Sequence, residues 1–138
     1  MNEIKKKQLV EEAIKAREYA YAPYSHFKVG AALLSKSGTV YHGCNIENSA
    51  YSPSNCAERT AFFKAISSGE RSFEAIAIVG ALEGTDESEW NFCPPCGVCR
   101  QVMVEFCDKK TFQIVLWNGA KEVKTYTLEE LLPVDFTL

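Results

Sequence analysis

The chain has 138 residues, a net charge of −3 and a pI near 5.5. That is the length of one domain, able to bury roughly 68–70% of its unfolded surface without covalent staples. The acidic balance argues against nucleic-acid binding, which favours a basic face, and the longest apolar run, Ala75 to Leu82, is far short of the ~20 residues that span a bilayer.

No apolar leader opens the chain at Met1-Asn2-Glu3-Ile4-Lys5-Lys6-Lys7. The expectation is a single cytoplasmic domain over residues 1–138. Six cysteines in such a chain read as metal ligands or free thiols before they read as disulfides.

The N-terminal segment has helical spacing, with Leu9, Ala13, Ala16 and Ala20 on one face and Lys5, Lys6, Glu11, Glu12 and Lys15 mostly opposite. Pro23 is the expected stop. Phe27 to Leu34 reads as a strand, apolar on both faces and so covered on both. Ser35-Lys36-Ser37-Gly38 turns into a returning strand from Thr39 to Gly43. Cys44 to Asn48 leaves the sheet as a polar loop, in which Asn45 and Asn48 could serve only as turn residues.

A second helix is predicted from Asn55 or Cys56 to Ser68, with Gly69 as its stop. Phe73 to Ala81 has the unbroken apolar character of a central strand. Leu82 to Phe92, carrying Glu83, Asp86, Glu87 and Glu89, reads as a solvated acidic loop. Pro95 suits the first turn of a third helix running from Cys96 to about Phe106. Phe112 to Trp117 is a fourth strand. Asn118-Gly119 is a type I′ hairpin signal that returns Val123 to Tyr126 antiparallel. Thr127 and Glu130 have capping-box spacing for a short helix ended by Pro133. The order predicts an α/β fold: one three-layer α/β/α domain with a mixed five-stranded sheet, its last two strands antiparallel. Both cysteine-bearing helix starts should meet at one edge of that sheet.

The chemistry gathers there. Cys96-x-x-Cys99 spans one helical turn, and Cys56 supplies a third sulfur. Three protein ligands leave a fourth tetrahedral position for water, the pattern of a catalytic zinc site, and zinc brings the pKa of water toward ~7. Three thiolates on Zn²⁺ carry a net negative charge, which weakens a Lewis acid. Two helix N-termini offset it, and so would Arg59, three positions after Cys56 on the same helical face, if its guanidinium bonds the sulfurs. The commoner fate of an arginine is the surface. Glu58, near the metal and not needed as its ligand, could move protons; alternatively Asn55-x-x-Glu58 has the spacing of a capping box. A different class of function also fits the cysteines. Cys93-x-x-Cys96-x-x-Cys99 with Cys56 would make a closed four-sulfur zinc site, structural and inert. Pro94 and Pro95 hold Cys93 away from the helix and favour a spectator thiol. Cys107 lies too far away for the usual iron–sulfur spacing. His26 and His42, the only histidines, lie outside the motif.

Cys56-Ala57-Glu58-Arg59-Thr60-Ala61 and Pro95-Cys96-Gly97-Val98-Cys99 resemble the signature of the cytidine deaminases, in the short-chain branch with three cysteine ligands. So do Tyr21-Ala22-Pro23-Tyr24-Ser25, Val29-Gly30-Ala31-Ala32, Gly43-Cys44-Asn45-Ile46-Glu47-Asn48 and Glu129-Glu130-Leu131-Leu132-Pro133. The likeness runs from about Ala20 to Phe136. It implies one zinc per chain on Cys56, Cys96 and Cys99, no organic cofactor, and hydrolytic deamination of cytidine and deoxycytidine in pyrimidine salvage. Glu58 would shuttle protons and contact the ring N3, Ala57 would offer its backbone to the base, Phe27 would pack on the pyrimidine, and Asn45 and Glu47 would bind the ribose 3′-hydroxyl. It also implies a homotetramer in which Phe136 and Tyr51 reach into neighbouring sites, with no nucleic acid or membrane as partner. An antibiotic nucleoside of the blasticidin type is the other substrate to weigh, though Asn45-Ile46-Glu47-Asn48 fits the cytidine enzymes better. A polynucleotide substrate would need a basic channel.

Overall fold

The computed structural model describes residues 1–119 and 122–138. Helix α1 covers Glu3–Arg17, strands β1 and β2 Phe27–Ser35 and Val40–Cys44, helix α2 Ala57–Ser67 and strand β3 Phe73–Leu82. Helix α3 follows at Gly97–Phe106, then strands β4, Gln113–Trp117, and β5, Val123–Thr127, and the short helix α4, Leu128–Leu131. The strands form one mixed five-stranded sheet in the order β2-β1-β3-β4-β5. Only β3 and β4 run parallel; the β1–β2, β1–β3 and β4–β5 pairs are antiparallel. No helix among the described residues is long and apolar enough to cross a membrane.

The sheet is buried on both faces because β3 alternates side-chain size. Ala75, Ala77 and Val79 face α1 with Leu9, Val10 and Ala13. Ile76 and Ile78 face the other way, with Phe62 of α2, Met103 of α3 and Leu128 of α4. Period-2 alternation in the strand thus assigns a small-residue face to the single helix and a large-residue face to the other three. Two glycines bring helices down onto the sheet. A Cβ on Gly30 would lie 2.1 Å from the Ala13 carbonyl oxygen, and one on Gly43 would lie 2.2 Å from that of Ala57. Gly43 therefore seats the first turn of α2 directly on β2, beside the residues that carry the chemistry.

Four features differ from the sequence reading. Helix α1 ends at Arg17, well before Pro23. The Arg17 side chain leaves the helix to donate to the carbonyls of Lys28 and Ala81, each at 2.9 Å, and the chain turns over Glu18 to Ala20 to bring Tyr21 into a bridge with Ile46. Pro95 precedes α3 rather than opening it: Cys96 is the N-cap, and the Pro95 carbonyl accepts from Arg100 Nε at 2.8 Å. The segment from Leu82 to Phe92 is more than solvated surface. Its Trp90 is 4% exposed, lies edge-on to Trp117 at 5.9 Å, and is covered by the Arg17 guanidinium at 4.4 Å. The acidic residues around it do face water, so composition hid the one anchor. In the β4–β5 hairpin, Asn118-Gly119 opens a longer connection instead of forming a two-residue turn; Glu122 N donates to Asn118 Oδ1 at 2.8 Å. Ala120 and Lys121 lie outside the described residues.

Candidate metal centre and active site

Cys56 and Cys96 are N-caps of α2 and α3, and neither thiol caps its own helix. The unpaired N–H groups and the partial positive charge of each helix start remain available to whatever the sulfurs hold. Cys99 sits in the first turn of α3 and is buried. The sulfurs of Cys56, Cys96 and Cys99 lie within 4.8 Å of one another, with Cys56 and Cys96 at 3.9 Å. Tetrahedral zinc with bonds of ~2.3 Å sets its sulfurs about 3.8 Å apart, so the donor set fits that ion. Among the described residues these three form the group able to hold a metal, and Cys93 is not part of it. The arrangement therefore supports the three-sulfur site over the closed four-sulfur one.

Arg59 donates from Nη2 to Cys56 Sγ at 3.2 Å. Its buried Nε has no protein partner, so this guanidinium is committed to the sulfur side of the site. The Cys56 thiolate raises its pKa further. In return, hydrogen bonds from Cys99 and then Arg59 pull the Cys56 thiol down, while Cys99, bonded to that thiolate and buried, is pushed up. The shared hydrogen bonds thus favour charge on Cys56 over Cys99, and a cation among the sulfurs would favour loss of the remaining protons.

Glu58 is 5% exposed. Burial, reinforced by the Cys56 charge, pushes its carboxyl up to about 7. A carboxyl poised there exchanges a proton at neutral pH. The capping-box alternative is not realised. The cap position belongs to Cys56, and Asn55 instead donates from Nδ2 to Thr60 Oγ1 at 3.2 Å.

A cleft of about 280 Å³ opens over these groups, its lining including Asn45, Glu47, Cys56, Glu58, Arg59 and Cys96, with Val29, Cys93 and Pro94 among its walls. A larger hollow, about 380 Å³ between α1 and the β1–β2 turn, contains no thiol and no buried carboxylate, so the chemistry belongs to the cleft. Asn45 accepts from Val29 N at 2.9 Å and donates to the Phe27 carbonyl at 2.7 Å. Glu47 accepts from Tyr24 N at 3.0 Å, from Ser25 N at 3.1 Å and from the Ser25 hydroxyl. The Ser25 hydroxyl, followed by its amide, holds the Glu47 carboxyl below the usual range.

Of the residues expected at the site, the three cysteines, Glu58, Arg59, Ala57, Asn45 and Glu47 come together. Phe27 lines an adjoining groove with Gly80 and Trp90. Tyr51 and Phe136 stand 81% and 66% exposed, away from the cleft of this chain. Sequence reasoning missed the roles of Tyr24 and Ser25, which fix Glu47 through backbone amides, and of Val29 and Cys93 as cleft walls. Amide donors leave no mark in side-chain patterns, whereas the alternation of β1 could have flagged Val29.

Comparison with known proteins agrees with this geometry. A family model described as the cytidine and deoxycytidylate deaminase zinc-binding region matches residues 3–115. The chain is 54% identical to the cytidine deaminase of Sporosarcina psychrophila over 94% of this chain and 90% of that one. It is 50% identical to the cytidine deaminase of Halalkalibacterium halodurans over 96% and 94%. The crystal structure of cytidine deaminase from Burkholderia pseudomallei superposes with a TM-score of 0.83 at 48% identity, covering 99% of this chain and all of the other.

Proposed function

The chain belongs to the cytidine deaminase family, and from that premise we infer that it catalyses the zinc-dependent hydrolytic deamination of cytidine to uridine and ammonia. The single observation that carries this reading is the junction of three sulfurs with one buried carboxyl in one cleft. Cys56, Cys96 and Cys99 hold the zinc, which when bound supplies a Lewis acid that activates water near neutral pH.

The remaining steps fall to the protein. Glu58 faces the ring N3, takes a proton from the attacking water and delivers one to N3, which makes C4 electrophilic. It then takes the proton of the hydroxyl added at C4 and passes it to the amine, so that the C4 carbonyl forms as the C4–N bond breaks and ammonia leaves. A pKa near 7 suits a group that must both take and give a proton at neutral pH. The Ala57 backbone, buried at the first position of α2, contacts the base. Arg59 draws charge from the sulfurs and so preserves the electrophilicity of the site.

Asn45 and Glu47 bind the ribose. The Asn45 amide has used one donor and one acceptor on β1 and keeps one N–H and one lone pair. Glu47 has accepted three hydrogen bonds of about four that a carboxylate can take, which leaves room for one hydroxyl. Free cytosine would leave these groups unpaired and is therefore rejected. The lining residues include no lysine, and the one arginine is turned to sulfur. That supports a nucleoside, cytidine or deoxycytidine, over a nucleotide. Phe27 packs on the ring from the adjoining groove. Tyr51 and Phe136 complete the sites of neighbouring subunits in a homotetramer. The compartment we assign is the cytoplasm, where the thiols stay reduced.

The deciding experiment follows cytidine-to-uridine conversion by absorbance in wild type and Glu58→Gln, with zinc counted in both. The expected result is an active wild type and a Glu58→Gln protein that keeps its zinc but has lost turnover by about a thousandfold or more, as removal of both proton transfers demands. An inactive wild type holding one zinc per chain would refute the assignment.

A further inference from the structure

One wall of the cleft closes over a residue that has no side chain. Gly80 lies on β3 opposite Val29 of β1, and its φ is not in the left-handed region. Backbone conformation does not call for glycine there. Space does: a Cβ on Gly80 would lie 2.7 Å from Cys93 Sγ, 3.1 Å from Phe27 Cε1 and 3.1 Å from Val29 Cγ2. Three side chains from two separate stretches of chain therefore converge on this bare position. Cys93 and Val29 also line the cleft that contains Glu58. The Cys93 thiol is half-buried and outside the metal-holding group. Burial, with the charges of Glu58 and Cys56 near it, pushes its pKa up to about 12. At neutral pH it is an uncharged, polarisable surface, placed between the proton-transfer group and the apolar side chains of β1.

We propose that Cys93, seated on Gly80, is a specificity-determining residue that sets the size of pyrimidine the cleft accepts, selecting unsubstituted cytosine over cytosine carrying an added alkyl group. This rests on the reading of the cleft as a cytosine-nucleoside site. The faces and carbon edges of a pyrimidine offer nothing to a hydrogen-bonding partner, so discrimination along them is a matter of room. The thiol has its back to the bare backbone of Gly80, where even one added carbon would lie 2.7 Å from its sulfur, so there is little room for it to retreat in that direction. One extra carbon in such a pocket changes kcat/KM by about 10–200-fold.

The test compares kcat/KM for cytidine and 5-methylcytidine in wild type, Cys93→Ala, Cys93→Val, Gly80→Ala and the Gly80→Ala/Cys93→Ala double variant, with zinc and Tm measured for each. Cys93→Ala should raise the ratio of 5-methylcytidine to cytidine about tenfold or more, and Cys93→Val should lower it. Gly80→Ala should push the thiol into the cleft and raise KM for cytidine more than it lowers kcat, and the double variant should reverse that rise. All variants should retain one zinc per chain. A ratio unchanged by both Cys93 substitutions would overturn the proposal. So would loss of zinc from Cys93→Ala, or a Gly80→Ala protein whose Tm falls while KM stays put. A wild type that turns over neither nucleoside would sink the reading of the cleft, and the proposal with it.

Discussion

Arg59 settles a problem that the three sulfurs create. Its Nη2 lies 3.2 Å from Cys56 Sγ, and the helix starts alone offer only about half a unit of positive charge each. Arg59→Gln should therefore keep the fold but weaken zinc retention by about 10–100-fold, read by competition with a chelator. Glu58 makes a second prediction, for protein stripped of metal. Its folded pKa is raised from 4.5 to about 7, so between these values the folded state binds more protons than the unfolded one. The contribution of Glu58 to stability must then fall as pH rises through that window and stay low above it, whereas the lowered Cys56 thiol contributes in the opposite sense from about pH 5 upward. Glu58→Gln should remove this slope and leave the metal-free protein more stable than wild type at pH 8 by about 3 kcal/mol in urea unfolding. A difference between Glu58→Gln and wild type that shrinks as pH rises would rule out burial as the main influence on Glu58. At this scale the sequence was highly legible: Cys56, Glu58, Arg59, Cys96 and Cys99 were identifiable by spacing, because a helical turn has fixed geometry. What spacing could not do was say whether Asn55 and Glu58 form a cap. That depended on where Asn55 turned, and it turned to Thr60.

Among the elements, the segment from Leu82 to Phe92 shows how one residue can govern a stretch whose composition says otherwise. Trp90 is held by Trp117 at 5.9 Å, by the Arg17 guanidinium at 4.4 Å and by its own Nε1, which donates to the Thr85 carbonyl at 3.0 Å. Trp90→Ala should cost about 3–5 kcal/mol in denaturant unfolding, as truncation of a buried aromatic does. A change below 1 kcal/mol would mean that the segment is solvated surface after all. The capping box of α4 is a milder case. Thr127 accepts from Glu130 N, and Glu130 accepts from Thr127 N, a pairing readable from the four residues alone because both partners are local. Trp90 was not readable in this way. The rings and charge that cover it come from α1 and β4, far along the chain, and a tryptophan among acidic residues has no periodicity to betray its burial.

For the whole molecule, the exposed aromatics raise the question of assembly. Tyr51 and Phe136 are 81% and 66% exposed, as are Tyr21 at 57% and Val98 at 57%. If Phe136 completes a neighbouring site, sedimentation should give four chains per particle and Phe136→Ala should raise KM for cytidine. A monomer with full activity would contradict the shared-site reading. The sequence by itself determined the element order, the three-layer architecture, the three cysteines that could hold a metal ion and the family. All of these follow from local periodicity or from motifs confined to a few residues. Only the tertiary structure decided that Cys93 stands outside the sulfur cluster and against Gly80, that Tyr24 and Ser25 amides fix Glu47, and that Arg17 ends α1 to tie β1 and β3 beneath Trp90. Each of those is a contact between segments distant in the chain, and such contacts exist only once the sheet has brought its strands together.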